Sequence, residues 1–124
     1  MNNKSFNVSK RIKSFGYAFN GLRVLITQEH NARIHLLAAT IVVILGIVLH
    51  VSLIEWAILM LCIGVVIALE IVNTAIEQIA NFICPEHNPK IKIIKDLAAA
   101  AVLVGAISAS VIGLLIFVPK IMAV

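Results

Sequence analysis

The class of this protein is indicated by residues 56–77, WAILMLCIGVVIALEIVNTAIE, an apolar run that ends in polar residues. The part before Glu70 would form about 21 Å of α-helix, at about 1.5 Å per residue. Glu70, Asn73 and Glu77 fall on one face of that helix, because their spacings match its period of about 3.6 residues. A bilayer penalises buried ionised groups, so such residues usually face a water-filled or protein-lined site. The stretch therefore predicts a membrane helix that carries a functional site.

The composition of the whole chain also indicates a membrane protein. The chain has 124 residues, of which 61% are hydrophobic and only 13% are charged, and its mean hydropathy is +1.07. A soluble domain of this length buries a modest fraction of its surface and could not hide so much apolar area. We therefore predict one all-α membrane domain that covers residues 1–124.

Three apolar stretches are long enough to cross a bilayer, at about residues 34–54, 56–83 and 96–118. Before them, residues 8–26 repeat apolar side chains at spacings of three and four, which predicts an amphipathic helix. Its basic side favours a position in the headgroup plane of a membrane, and packing on the protein's own core fits equally well. The predicted fold is three transmembrane helices plus an N-terminal amphipathic surface helix.

Turn residues and prolines predict where these helices end. Glu55 is expected in a solvated turn before the second span, with Trp56 as an interfacial aromatic at the start of that span. Pro85 and Pro89 are expected to bracket a loop, because neither position suits a helix interior. For the same reason we expect Pro119 to end the third span.

The basic residues predict the orientation of the chain. Nine of the ten fall in two blocks: Lys4, Lys10, Arg11, Lys13, Arg23 and Arg33 in one, and Lys90, Lys92 and Lys95 in the other. Aromatic residues are only 6% and do not interleave with the basic ones, which argues against a nucleic-acid partner. The positive-inside rule instead places both blocks in the cytoplasm and the C-terminus outside.

With this orientation, polar residues from three parts of the chain meet near the cytoplasmic interface. They are Glu29 before the first span, Glu70 and Glu77 in the second, and Lys95 with Asp96 at the start of the third. Two carboxylates and an Asn on one helix face suit a divalent cation and the phosphates it carries. Taken alone, Glu70 could be a packing or ion-pair residue, and the Lys-Asp pair a helix cap. Together they favour a site where a lipid headgroup meets a water-soluble cosubstrate.

Four stretches resemble the small prokaryotic integral-membrane lipid kinases, the diacylglycerol kinase and undecaprenol kinase family. They are residues 16–23 (GYAFNGLR), 29–35 (EHNARIH), 70–77 (EIVNTAIE) and 95–103 (KDLAAAAVL). The resemblance implies an enzyme of the bacterial inner membrane that transfers phosphate from ATP, with Mg²⁺, to diacylglycerol or undecaprenol. It also implies a homotrimer with composite active sites between subunits.

The same resemblance implies roles for individual residues. Glu29 and Glu77 would bind the divalent cations that bridge the ATP phosphates. Glu70 would be the general base that takes the proton of the lipid hydroxyl. Asn73 would orient Glu70 or a phosphate oxygen, and Lys95 would neutralise charge on the phosphoryl group in transfer.

Further contacts with the substrates follow from the resemblance alone. Residues that would contact the nucleotide are Lys10, Arg11, Tyr17, Glu86, His87, Asn88 and Asp96, which could alternatively position Lys95. Residues that would contact the lipid are Asn31, Arg33, His35, Glu70 and Ala99. Asn81 stands where the family commonly has Asp, and Ala99 replaces a Ser seen in one branch. Residues 31–35 and 116–120 look more like the branch that includes undecaprenol kinases.

Two other classes of protein fit part of the sequence. A small proton-coupled membrane transporter or sensor would use Glu70 but would not need the other charged groups at one interface. A non-enzymatic membrane subunit would tolerate neutralisation of all of them. A lipid kinase uses the whole set.

Overall fold

The structure, a computed structural model, describes residues 5–124, so Lys4 of the N-terminal basic block lies outside the described residues. The described chain forms four helices: α1 (Val8–Gln28), α2 (His30–Val48), α3 (Leu53–Ile83) and α4 (Pro89–Met122). Among these residues, α2, α3 and α4 are long and apolar enough to cross a membrane. The predicted all-α membrane fold with three spans and an additional N-terminal helix is confirmed.

Helix α1 starts at a polar cap and keeps most of its apolar face exposed. The Asn7 side-chain oxygen accepts a hydrogen bond from the Ser9 N–H at 2.9 Å, which satisfies a donor that the first turn leaves free. Leu25 near the far end is buried, whereas Ile12 and Phe15 are exposed. Of the two positions predicted for α1, the exposed apolar face favours the membrane surface over the protein core.

The junction between α1 and α2 is held by an arginine. Glu29 has an extended backbone, with φ −108° and ψ 112°, and separates the two helices. The Arg33 guanidinium of α2 donates from Nε to the Ile26 carbonyl at 2.7 Å and from Nη2 to the Thr27 carbonyl at 2.6 Å. The last carbonyls of a helix lack partners within the helix, so these bonds fasten the end of α1 to α2.

A short turn joins α2 to α3. His50 adopts the left-handed region with φ 53°, which ends the preceding helix. Ser52 then caps α3: its Oγ accepts from the Glu55 N–H at 3.1 Å, while Glu55 Oε1 accepts from the Ser52 N–H at 2.9 Å. This reciprocal capping box satisfies two backbone donors at the start of α3.

Two predictions about this region are wrong. The first span does not reach residue 54, because α2 ends at Val48. Glu55 is not a loop residue, because it lies in the first turn of α3. Apolar Leu49 and Val51 continue the hydropathy of the span through the turn, so apolar length could not reveal the change in backbone.

The prediction that Pro119 ends the third span is also wrong. Helix α4 begins with Pro89 at its first position, where no hydrogen bond is lost, and runs through Pro119 to Met122. The Pro119 carbonyl still accepts from the Ala123 N–H at 3.1 Å. A proline removes one backbone hydrogen bond, and membrane helices tolerate that loss where neighbouring groups compensate.

Helices α3 and α4 are clamped together at the end that carries residues 49–52 and the C-terminus, which we call the turn end. Val51, Leu59 and Phe117 form a buried apolar cluster there. Lys120 Nζ of α4 also lies 3.0 Å from Glu55 Oε1 of α3. The opposite end, with the α1–α2 junction and residues 84–88, is the loop end.

We expect Gly46→Ala to destabilise the protein by about 1–3 kcal/mol, because a Cβ on Gly46 would lie 2.5 Å from the Trp56 ring. Thermal unfolding of the detergent-solubilised protein measures this loss. Gly113→Ala is the matched control, since a Cβ there would meet no atom of the described chain within 4 Å. Equal stability of the two variants would contradict this packing of α2 on α3.

The Glu55–Lys120 pair is expected to stabilise the turn end only slightly, because about a quarter of each side chain stays exposed (24% and 28%) and solvent screens the attraction. A double-mutant cycle with Glu55→Gln and Lys120→Met isolates the coupling, and Gln can still accept the Ser52 N–H. We expect a small favourable coupling in thermal stability, which falls as the salt concentration rises. A cycle that closes with no coupling would mean that the pair contributes nothing.

Candidate active site

The centre of the candidate site is a buried carboxylate paired with an imidazole. Glu70 of α3 is only 3% exposed. Its Oε1 lies 3.0 Å from Nε2 of His35 on α2, within hydrogen-bonding distance. Burial of an ionised carboxylate without a partner is very unfavourable, so the imidazole N–H stabilises the charge. This contact joins two spans at the depth where the sequence predicts the site.

The face of α3 that carries Glu70 has further buried polar atoms. Thr74, one turn later, is 6% exposed. Within residues 5–124, Asn73 Oδ1 and Thr74 Oγ1 are buried and have no hydrogen-bond partner. Burying a polar atom without a hydrogen-bond partner lowers the stability of the fold by about 1–3 kcal/mol. Native proteins therefore rarely keep such an atom unless it has a role. The part of the predicted polar face around Glu70 and Asn73 is therefore buried, and it keeps acceptor atoms that are free for further hydrogen bonds.

Two more carboxylates lie near Glu70. The charges of Glu29 and Glu77 both act electrostatically on Glu70, and both side chains are half-buried. Glu29 occupies the residue between α1 and α2, and within the described chain its side chain makes no capping hydrogen bond. Three carboxylates close together repel one another unless a cation or a proton lies among them.

The donor set fits a cation that is bound together with phosphate. The described residues contain no group of three or more His, Cys, Asp or Glu side chains able to hold a metal ion by themselves. Mg²⁺ commonly takes only one or two carboxylates from the protein and completes its shell with substrate phosphates and water. Glu29 and Glu77 supply the two carboxylates that such a site needs.

The basic groups of the site come from the start of α4. Lys95 Nζ donates a hydrogen bond to Asn81 Oδ1, which follows Glu77 by one turn of α3. Asp96 pairs with Lys92 at 2.6 Å, and both side chains are exposed. Of the two roles predicted for Asp96, the contact with Lys95 is therefore not observed.

The loop that would contact the nucleotide has local structure of its own. Asn88 Oδ1 accepts from the Lys90 N–H at 2.9 Å and caps α4. Glu86 accepts from the Cys84 thiol, with 3.5 Å between Sγ and Oε2, and His87 is exposed. These residues lie at the loop end, as do Glu77 and the start of α4, and their contact with a nucleotide stays a prediction.

The basic and aromatic residues of α1 are exposed and away from the carboxylates. Among the described residues, no hydrogen bond or ion pair joins Lys10, Arg11 or Tyr17 to them. The far end of α1 is nearer to the site, since Gln78 Nε2 of α3 donates to Gln28 Oε1 at 3.3 Å. The nucleotide contacts predicted for α1 remain predictions.

The residues predicted to contact the lipid divide into two groups. His35 and Glu70 are in contact with each other at the centre of the site. Asn31 and Ala99 are exposed on α2 and α4, and Arg33 is engaged with the end of α1. Only the first pair therefore forms part of the buried site.

Two cavities meet at this centre. An apolar groove of about 520 Å³ between α2, α3 and α4 extends from His35 to Ile121 near the turn end. A smaller cavity of about 190 Å³ is lined by residues of α1 that include Leu25, and by Glu70. His35 and Ile67 line both cavities. The groove has the shape and chemistry for a hydrocarbon chain whose polar end lies at His35.

Sequence patterns did not predict the contact between His35 and Glu70. They indicated only that His35 is a packing residue or contacts the lipid. A signal existed in the register of the antiparallel helix pair. His35 lies 15 residues before His50, and Glu70 lies 20 residues after it. Helices that run back from this turn bring the two residues to within about one and a half turns of each other in height.

The chain is similar to known membrane kinases over nearly its whole length. The family described as prokaryotic diacylglycerol kinase matches residues 16–117. The undecaprenol kinase of Bacillus subtilis (strain 168) is 42% identical over 113 residues, which cover 91% of this chain and 92% of that protein. The diacylglycerol kinase of Escherichia coli (strain K12) is 31% identical over 109 residues, covering 88% and 89%. That of Helicobacter pylori (strain ATCC 700392 / 26695) is 29% identical over 104 residues, covering 84% and 81%.

The family match includes every residue of the buried centre. It contains His35, Glu70 and the two carboxylates that act on Glu70. It also contains the start of α4, which carries the basic groups of the site. Because the match covers most of the chain, this protein belongs to the prokaryotic diacylglycerol kinase family and is a membrane lipid kinase.

Proposed function

We propose that this chain transfers the γ-phosphate of ATP to undecaprenol in a Mg²⁺-dependent reaction. The observation that carries the proposal is the buried Glu70 carboxylate, which lies 3.0 Å from His35 at the end of an apolar groove and near two further carboxylates. Undecaprenol is favoured over diacylglycerol because the undecaprenol kinase of B. subtilis is 42% identical, against 31% for the E. coli diacylglycerol kinase. Family membership favours either acceptor over a proton-coupled transporter or a non-enzymatic subunit.

In the proposed reaction, the lipid oxygen attacks the γ-phosphorus and its proton passes to Glu70. The bond from the γ-phosphorus to the oxygen that bridges it to the β-phosphate breaks, and ADP leaves. Glu70 suits the role of general base because His35 contacts one of its oxygens, Oε1. The other oxygen, Oε2, then accepts the proton of the lipid hydroxyl.

The remaining groups would bind and orient the nucleotide. Glu29 and Glu77 would hold the Mg²⁺ ion, which would neutralise charge on the phosphate oxygens. Lys95 would counter the charge that develops on the phosphoryl group in transfer. Asn73 would orient Glu70 or a phosphate oxygen by donating a hydrogen bond from its amide N–H. Asp96, α1 and residues 86–88 would add contacts at the nucleotide's outer side.

The orientation in the membrane follows from the basic residues. Every Lys and Arg of the described chain except Lys120 belongs to α1, the α1–α2 junction or the start of α4. The positive-inside rule places this loop end in the cytoplasm, where ATP is available. The C-terminus, at the turn end, then lies outside the inner membrane.

We also propose that the working enzyme is a homotrimer with sites completed between subunits. Most residues of all three spans are exposed in the single chain. Three spans offer too little protein to enclose a nucleotide, a cation and a lipid headgroup together.

Glu70→Gln is expected to lower kcat by about 10²–10⁴-fold with little change in the KM for ATP, because it removes the general base. Glu77→Gln is expected to raise the Mg²⁺ concentration needed for half-maximal activity. Transfer of labelled phosphate to lipid in detergent micelles measures both effects. The matched control is Glu55→Gln, which neutralises a carboxylate at the other end of α3 and should leave turnover unchanged. Normal turnover of Glu70→Gln would refute the assigned role.

The acceptor is tested by competition in one reaction. Micelles that contain equal amounts of diacylglycerol and undecaprenol are incubated with labelled Mg-ATP, and the lipid products are separated. We expect most of the label in undecaprenyl phosphate. Label mainly in phosphatidic acid would show that diacylglycerol is the acceptor. The higher sequence identity to the undecaprenol kinase would then not predict the acceptor of this chain.

A further inference from the structure

His35 occupies the one place where the groove, the smaller cavity and the buried carboxylate meet. His35 and Ile67 both line the two cavities, and of these two residues it is His35 that has a polar side chain. Its side chain is 23% exposed, whereas that of Glu70 is 4% exposed. Glu70 lines only the smaller cavity. A lipid whose chain lies in the groove would therefore meet His35 before it reaches Glu70.

The rest of the groove offers little competition for a polar group. Its other polar side chains are those of Cys62 and Ser110. The Ser110 hydroxyl donates to the Ala106 carbonyl of its own helix at 2.7 Å, and a thiol is a weak hydrogen-bonding group. The strongest hydrogen-bonding group that a lipid headgroup would meet in the groove is thus the imidazole of His35.

We propose that His35 is a positioning residue for phosphoryl transfer, which acts by holding the Glu70 carboxylate in one orientation. His35 Nε2 lies 3.0 Å from Glu70 Oε1. In this arrangement an N–H at Nε2 would hold Oε1 and leave Oε2 to accept the proton of the lipid hydroxyl. This inference rests on the proposed function, in which Glu70 is the general base. Charged neighbours of the pair are Glu29 from the α1–α2 junction and Glu77 from α3.

The physical reason for such a device is the freedom of a carboxylate to rotate. Without a fixed partner, Glu70 would turn toward any nearby donor, and its reacting oxygen would lose alignment with the lipid hydroxyl. Misplacement of a catalytic group by about 1 Å can lower the rate by about 10²-fold. A base that is itself oriented by a third group is a recurring arrangement in enzymes that activate a hydroxyl.

The test compares two replacements of His35 that differ in one property. His35→Gln keeps an N–H donor near the position of Nε2, whereas His35→Leu keeps similar bulk without a donor. We expect His35→Leu to lower kcat by about 10–100-fold with an unchanged KM for ATP, and His35→Gln to restore most of that loss. His30→Leu is the matched control, because His30 is exposed at the first residue of α2 and should tolerate the change.

A double variant separates positioning from packing. If His35 acts through Glu70, then His35→Leu combined with Glu70→Gln should turn over no more slowly than Glu70→Gln alone. Equal losses in His35→Leu and His35→Gln, accompanied by lower thermal stability of both, would overturn the inference in favour of a packing role. Normal turnover of His35→Leu beside an inactive Glu70→Gln would also overturn it and leave the proposed function intact. Normal turnover of Glu70→Gln would instead remove the proposed function itself.

Discussion

The site depends on one glutamate, Glu70, that is buried between two membrane helices. Glu70 is buried with Nε2 of His35, on the facing helix, 3.0 Å from its Oε1, and such a partner lowers the cost of burying the carboxyl group. That distance is set partly at the other end of the same helix pair, where Gly46 lets the ring of Trp56 lie against the α2 backbone. About 16 Å of rigid helix separates Gly46 from His35, so close packing at the turn end fixes the approach of α2 to α3 at the site.

The two ends of the bundle divide the work. At the turn end, the Glu55 side chain is used by the capping box and by its pair with Lys120, and the cluster around Phe117 packs the helices together. The Glu55 carboxylate is therefore not free for chemistry. At the loop end, the extended backbone at Glu29 breaks the helix without using the Glu29 side chain, and Arg33 satisfies the carbonyls that the break exposes. Local structure at the junction therefore leaves the Glu29 carboxylate unused by the helix ends, as the proposed cation site requires. Arg33, predicted to contact lipid, is meanwhile committed to holding the junction.

The sequence predicts what depends on neighbours along one helix, and fails where separate helices meet. The stripe of Glu70, Asn73 and Glu77 follows from the helix period, and the three spans follow from apolar length. The end of α2 could not be found from apolar length, because Leu49 and Val51 continue the apolar run into the turn. The prediction that Pro119 ends α4 failed because the rule against proline in helices is weaker inside a membrane. The contact of Glu70 with His35 depends on the register of two helices, which hydropathy does not encode.

The physical effect of having Asn at position 81 likewise depends on a contact between helices. The family commonly has Asp at this position, and the structure shows that the side chain here accepts a hydrogen bond from Lys95. An aspartate would form an ion pair with Lys95 and cancel much of its charge locally. The neutral amide holds the ammonium in place between α3 and α4 and leaves its positive charge in force. Lys95 is thus held by Asn81, one turn beyond Glu77, with no carboxylate in that contact to offset its charge, as its proposed role at the phosphoryl group requires.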